Sequence, residues 1–138
     1  MSSERDYLIL TNNPLVARCM DGRFTIRLEE ALGYREILVL ARDMVYEGHT
    51  LYTHPLSGSV KPNETPYKSV VVSKVPHGFS AEQAEIMGNA IIAYDKFAPR
   101  NVVLTDQIRQ DFQLIDYTLL SGALNFDAAA GLSKFAQP

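Results

Sequence analysis

Two stretches of the chain gather side chains suited to holding a small charged molecule. The first, Thr11-Asn12-Asn13-Pro14, follows the apolar run Tyr7-Leu8-Ile9-Leu10 and reads as the point where a buried strand gives way to a helix. Asn13 suits the N-cap, where its side-chain oxygen takes an orphaned helix N–H, and Pro14 suits the first helical position because its missing donor costs nothing there. Two amides beside the free N–H groups of a helix start attract carboxylate or phosphate. The second stretch, residues 53–68, collects His54, Ser57, Gly58, Ser59, Lys61, Asn63 and Lys68, while Pro55, Pro62 and Pro66 restrict its backbone. Loops of this length without secondary structure of their own are uncommon in compact domains and are usually functional or disordered; three prolines favour order. Asn12, Asn13, Ser57, Gly58, Ser59, Lys61, Asn63 and Lys68 are therefore the candidate ligand-binding residues, and His54 is the candidate general acid or base. The competing reading gives Asn13 only its capping role and the long loop only the task of joining two strands.

Neither stretch matches a loop built for a nucleoside triphosphate. A P-loop needs G-x-x-x-x-G-K-S/T, whereas Gly58 is followed by Ser59-Val60-Lys61-Pro62, and Gly22, Gly33 and Gly48 form no G-x-G-x-x-G. Ser57 sits in no G-x-S-x-G elbow, so a serine hydrolase is disfavoured even though His54 precedes it by three residues. His49 and His54 are five apart, which points them to opposite faces of an extended chain, and His77 belongs to another loop, so no metal site is expected. No cofactor is expected either. Cys19 reads as a small buried hydrophobe. Asp106, Asp111 and Asp116 recur every five residues, spread around a helix and read as a solvated surface.

The elements that must position these residues follow from periodicity. Residues 14–20 form a short helix closed by Asp21-Gly22, and Phe24-Thr25-Ile26-Arg27-Leu28 alternates as a half-exposed strand near a sheet edge. Ile37, Leu38, Ala41, Met44 and Val45 make the stripe of a helix over 34–47, ended by Gly48. Strands are expected at Thr50-Leu51-Tyr52-Thr53 and Ser69-Val70-Val71-Val72-Ser73. Ser80 and Gln83 open a helix over 80–97 in capping-box form, with an apolar arc wide enough for a subunit contact. Thr105 or Asp106 caps a last helix whose stripe, Ile108, Phe112, Ile115 and Leu119, should face the core. Strands separated by helices indicate an α/β fold with a small, largely parallel sheet of about four strands and about four helices in one layered sandwich. Ligands of such sheets sit outside the strand ends, so the two stretches are expected on one rim.

A chain of 138 residues with 46% hydrophobic residues supports one core and one domain. That domain is expected over 1–121, followed by a tail over 122–138 that is helical or partly disordered. With 13 Lys and Arg against 16 Asp and Glu, no positive field exists to hold nucleic acid or an anionic membrane. A single cysteine, no leader and no apolar run long enough to span a bilayer read as a cytoplasmic protein. A homo-oligomer, specifically a dimer, is expected from the helix over 80–97.

Thr-Asn-Asn-Pro-Leu-Val at 11–16 and Thr-His-Pro-Leu-Ser-Gly-Ser-Val-Lys-Pro-Asn-Glu-Thr-Pro-Tyr-Lys-Ser at 53–69 resemble the GrdX-type proteins. These are small proteins encoded beside the glycine, sarcosine and betaine reductase components of amino-acid-fermenting anaerobes. The likeness covers about residues 8–120 and extends more loosely through Asp111-Phe112-Gln113-Leu114-Ile115-Asp116. It implies a cytoplasmic accessory or regulatory role beside amino-acid reduction, with reductase-type components as partners, and implies no catalytic activity or cofactor. Three functions compete. The first is an accessory protein that binds a small anion at the strand-end loops. The second is an enzyme with His54 as general acid or base and Lys61 neutralising substrate charge. The third is an interaction module that docks the long loop and the helix over 80–97 onto a reductase subunit or a second copy.

Overall fold

The computed structural model describes residues 3–56, 64–97 and 103–133. A short 3-10 turn, Ser3–Asp6, leads into β1 (Tyr7–Thr11), α1 (Pro14–Met20), β2 (Thr25–Leu28), α2 (Tyr34–Tyr46), β3 (His49–Leu51), β4 (Ser69–Pro76), α3 (Ala81–Asp95), α4 (Asp106–Ala123) and α5 (Ala128–Ser133). The four strands lie in the order β2-β1-β4-β3. The fold is α/β, but the sheet is not largely parallel. Only β1 and β2 run parallel, while β4 is antiparallel to both β1 and β3. The reason is the connection into β4. A parallel return requires a crossover that carries the chain back to the same end of the sheet. The described parts of the link between β3 and β4 hold no helix, and the chain comes back alongside β3 as a long hairpin.

β1 and β4 occupy the centre because their side chains are apolar on both faces. Leu8, Leu10, Val70 and Val72 face one core with Ile37, Leu38 and Met44 of α2 and Met87 and Ile91 of α3. Ile9 and Val71 face a second core with Val16, Cys19 and Met20 of α1 and Tyr117 and Leu120 of α4. The sheet is thus sandwiched between two helical layers. β2, with only Ile26 partly covered, takes one edge as its alternation requires. Gly48, at φ +104°, ends α2 where a side chain would also meet Pro76 and Gly78. Ser80 accepts the Gln83 N–H, but the Gln83 side chain does not complete the capping box. Its Oε1 accepts from the Leu51 N–H at 2.9 Å and so serves the outer strand β3.

The stripe expected to bury α4 is turned away from the core. Tyr117, Leu120 and Ser121 are its buried residues, whereas Ile115 and Leu119 remain 39% and 40% exposed. Part of the apolar arc of α3 is covered within the chain, by α2 and by the stacking of Tyr94 on Tyr34, with ring centroids 5.2 Å apart. No helix among the described residues is long and apolar enough to cross a membrane. The segment from residue 122 onward carries α5, whose Ala128 and Leu132 pack on the second core and whose Ala128 carbonyl accepts from the Tyr117 hydroxyl at 2.7 Å.

Two glycine substitutions separate docking of α5 from helix propensity. A Cβ at Gly131 would collide with the Tyr117 hydroxyl and stand 3.2 Å from the Cys19 carbonyl oxygen, whereas at Gly88 it would meet nothing within 4 Å. Gly131→Ala should therefore cost about 1–3 kcal/mol in urea denaturation, and Gly88→Ala should raise stability by about 0.5–1 kcal/mol. A neutral Gly131→Ala would show that α5 does not pack where it is placed.

Candidate functional site

Where β1 ends and β4 begins, the sheet carries a run of buried polar groups. Thr11 and Ser69 pair across the two strands, with their hydroxyl oxygens 2.7 Å apart. Thr11 Oγ1 accepts from the Asn13 N–H at 2.9 Å, and Ser69 Oγ donates to Asp116 Oδ2 at 2.8 Å. Each hydroxyl has one proton, so Thr11 donates to Ser69 and the chain of bonds runs from β1 through β4 to α4.

The two asparagines brace this corner from either side. Asn13 caps α1 by accepting from the Leu15 N–H at 3.0 Å, and its amide donates to the Gln113 carbonyl at 2.9 Å and to Asp116 Oδ2 at 3.0 Å. Asn12 accepts from the Lys68 N–H at 2.8 Å and donates to the carbonyls of Leu32 at 2.9 Å and Pro66 at 2.8 Å. One residue thus fastens α4 to α1, and its neighbour fastens the end of the long loop to the turn before α2. Gln113 Nε2 adds a bond to the Tyr67 hydroxyl at 2.9 Å.

Between these braces lies a cleft of about 40 Å³. Tyr34, Thr53, Thr65, Tyr67 and Ser69 line it with hydroxyls, Phe112, Ile115 and Leu119 of α4 give it an apolar wall, and Lys68 and Asp116 both face it. Lys68 is only 6% exposed, and its ammonium stands 5.5 Å from the centre of the Tyr34 ring. Burial lowers the Lys68 pKa, and the charge of Asp116 partly opposes that shift. Burial raises the Asp116 pKa against the hydrogen bonds of Asn13 and Ser69 and the charge of Lys68. Burial, and then the charge of Asp116, push the Tyr34 phenol well above its ordinary value. Among the described residues no ion pair joins Lys68 to Asp116 or to any other carboxylate.

Of the residues expected at a site, Asn12, Asn13 and Lys68 come together at this corner. Every amide group of the two asparagines is taken up by the protein, so they shape the cleft instead of lining it. Lys68 lines it. His54 is exposed, accepts the Leu56 N–H on Nδ1 at 3.1 Å and is not part of the lining. Ser57, Gly58, Ser59, Lys61 and Asn63 lie outside the described residues. Asp116, expected on a solvated surface with Asp106 and Asp111, instead points into the cleft, because Asn13 and Ser69 hold it there. Its position in the sequence carried the signal: it stands four residues after Phe112 and four before Leu120, on the apolar side of α4. The contributions of Tyr34 and Tyr67 had no comparable local signature.

The raised pKa of Asp116 has a consequence with a definite sign. Above the pH at which an ordinary aspartate ionises, the folded chain retains a proton that the unfolded chain has lost. Stability owed to that proton therefore falls as pH rises toward the folded value. Asp116→Asn keeps an acceptor for Asn13 and Ser69 but has nothing to titrate. Its stability relative to the unsubstituted protein should climb between pH 4 and pH 8, as read by urea midpoints. A flat difference across that range would mean that Asp116 titrates as an ordinary surface carboxylate.

Comparison with curated proteins and with solved structures gives no match. A family model described as GrdX-like protein matches residues 8–125, a span that includes β1 from Leu8 onward, both asparagines, the described ends of the long loop and the whole of α4. The chain belongs to the GrdX-like protein family.

Proposed function

We propose that the protein binds a small molecule bearing an anionic group in the cleft between β1, β4 and α4, with Lys68 as the charge that holds it. One observation carries this reading: a lysine almost fully removed from water, with no carboxylate paired to it among the described residues, facing a cleft rimmed by hydroxyls. A buried cation without a direct partner is costly, and an arriving anion recovers the lost interaction in a low-dielectric setting. The hydroxyls of Thr53, Thr65 and Tyr67, each of which accepts a bond from the protein, keep their protons to supply neutral hydrogen bonds that select for shape. Family membership supports placing this binding in a cytoplasmic accessory or regulatory protein beside glycine reductase-type amino-acid fermentation. A homodimer, and contact with reductase components, fit that role. Ile92 of α3, 57% exposed, is where the uncovered part of its apolar arc would meet such a partner.

The test is calorimetry and thermal shift with sulfate, phosphate, propionate and alanine on the unsubstituted protein and on Lys68→Met. Methionine keeps the apolar stem against Tyr34, so the variant should fold. At least one of the four probes should raise Tm, and Lys68→Met should weaken that probe at least tenfold, about 1.4 kcal/mol. Equal affinities for the two proteins would remove Lys68 from any binding role.

A further inference from the structure

We infer that the ligand of this cleft is a zwitterion carrying a carboxylate and an ammonium a few bonds apart, that is, a small α-amino acid. The inference rests on the reading that Lys68 anchors a ligand here, and it concerns what the other end of that ligand must be. Lys68 and Asp116 line the same cleft but are not joined as an ion pair. They are nonetheless close enough that each charge acts on the other. Asp116 is also fixed, because its Oδ2 accepts from both Asn13 and Ser69.

A simple anion seated on Lys68 leaves the Asp116 carboxyl without a cation beside it, and a simple amine seated on Asp116 leaves the Lys68 ammonium without an anion. A molecule with both charges meets a complement at each end, and the cleft and ligand together lose no net charge balance. A volume of about 40 Å³ holds roughly three water-sized groups, so it takes the charged end of a small molecule and not a bulky one. Phe112, Ile115 and Leu119 form an apolar wall beside that space, where a methyl-sized side chain fits better than a charged one. A divalent cation is disfavoured by Lys68, and a phosphate monoester by Asp116.

Matched probes of one carbon skeleton test this in calorimetry on the full chain: alanine with both charges, propionate without the ammonium and ethylammonium without the carboxylate. Alanine should bind at least tenfold more tightly than either. Asp116→Asn should weaken alanine at least tenfold while leaving propionate unchanged or tighter. The comparison on the unsubstituted protein stands even if that variant fails to fold. Propionate or phosphate binding as tightly as alanine would overturn the zwitterion and leave the anion reading intact. Absence of binding by any of these probes, together with no response to sulfate, would overturn both.

Discussion

Everything at the cleft end of the sheet depends on how the chain satisfies its polar groups where β1 stops. The strand enters the centre of the sheet, so its last residues cannot turn to water for hydrogen bonds, and a buried backbone group left unpaired costs as much as a lost bond. Two consecutive asparagines meet the requirement. Asn13 faces the α1 and α4 side, where it caps one helix and holds the other by the Gln113 carbonyl. Asn12 faces the α2 side, where it ties the Leu32 and Pro66 carbonyls and the Lys68 N–H into one knot. Because successive residues of an extended chain point to opposite faces, the pair can fasten both helical layers to the same strand end. No single side chain in that place could do both.

That arrangement also explains why charged groups are tolerated in the cleft. Asp116 is carried in on the same helix that Asn13 holds, and two donors meet its Oδ2. Lys68 is carried in by the Asn12 side chain, whose Oδ1 accepts from its N–H, and lies over the Tyr34 ring. Neither charge is fully compensated, as the shifts of both toward their neutral forms indicate. The fold spends part of its stability to keep them there.

Local signals in the sequence were enough for most of the elements. The helix starts at Asn13 and Ser80 are read from caps whose hydrogen bonds are present, and of the two candidates Thr105 and Asp106 it is Thr105 that caps α4. The central strands follow from the all-apolar runs at Ile9-Leu10 and Val70-Val71-Val72. What could not be read depends on partners far along the chain. The direction of β4 turns on whether the preceding link crosses the sheet, and nothing in a proline-rich loop states that. The rotation of α4 follows from the Asn13 bond to Gln113, a contact spanning 100 residues, and that rotation converts a stripe taken for core into the wall of a cleft. The asparagines were legible as important, but the distant carbonyls and carboxylate that their amides bond were not.

Two aspartates at opposite ends of the sheet show why position, not residue type, decides which carboxylate belongs to a site. Asp6, at the start of β1, lies 2.6 Å from His77 Nε2 and also accepts from the Tyr52 hydroxyl at 2.8 Å. The hydrogen bond of His77 lowers its pKa further than burial raises it. There the carboxylate is comfortable as an anion, and its bonds join the first turn to the ends of β3 and β4 without leaving anything for a ligand to complete. Asp116 accepts two bonds as well, yet burial outweighs them. The difference is the medium: Asp6 has water behind it, whereas Asp116 has the apolar side of α4. An ammonium arriving beside Asp116 restores part of what the missing water would have given, while one arriving at Asp6 would gain only a screened surface interaction. The same residue type is therefore a settled anion at one end of the strand and a buried, uncompensated group at the other.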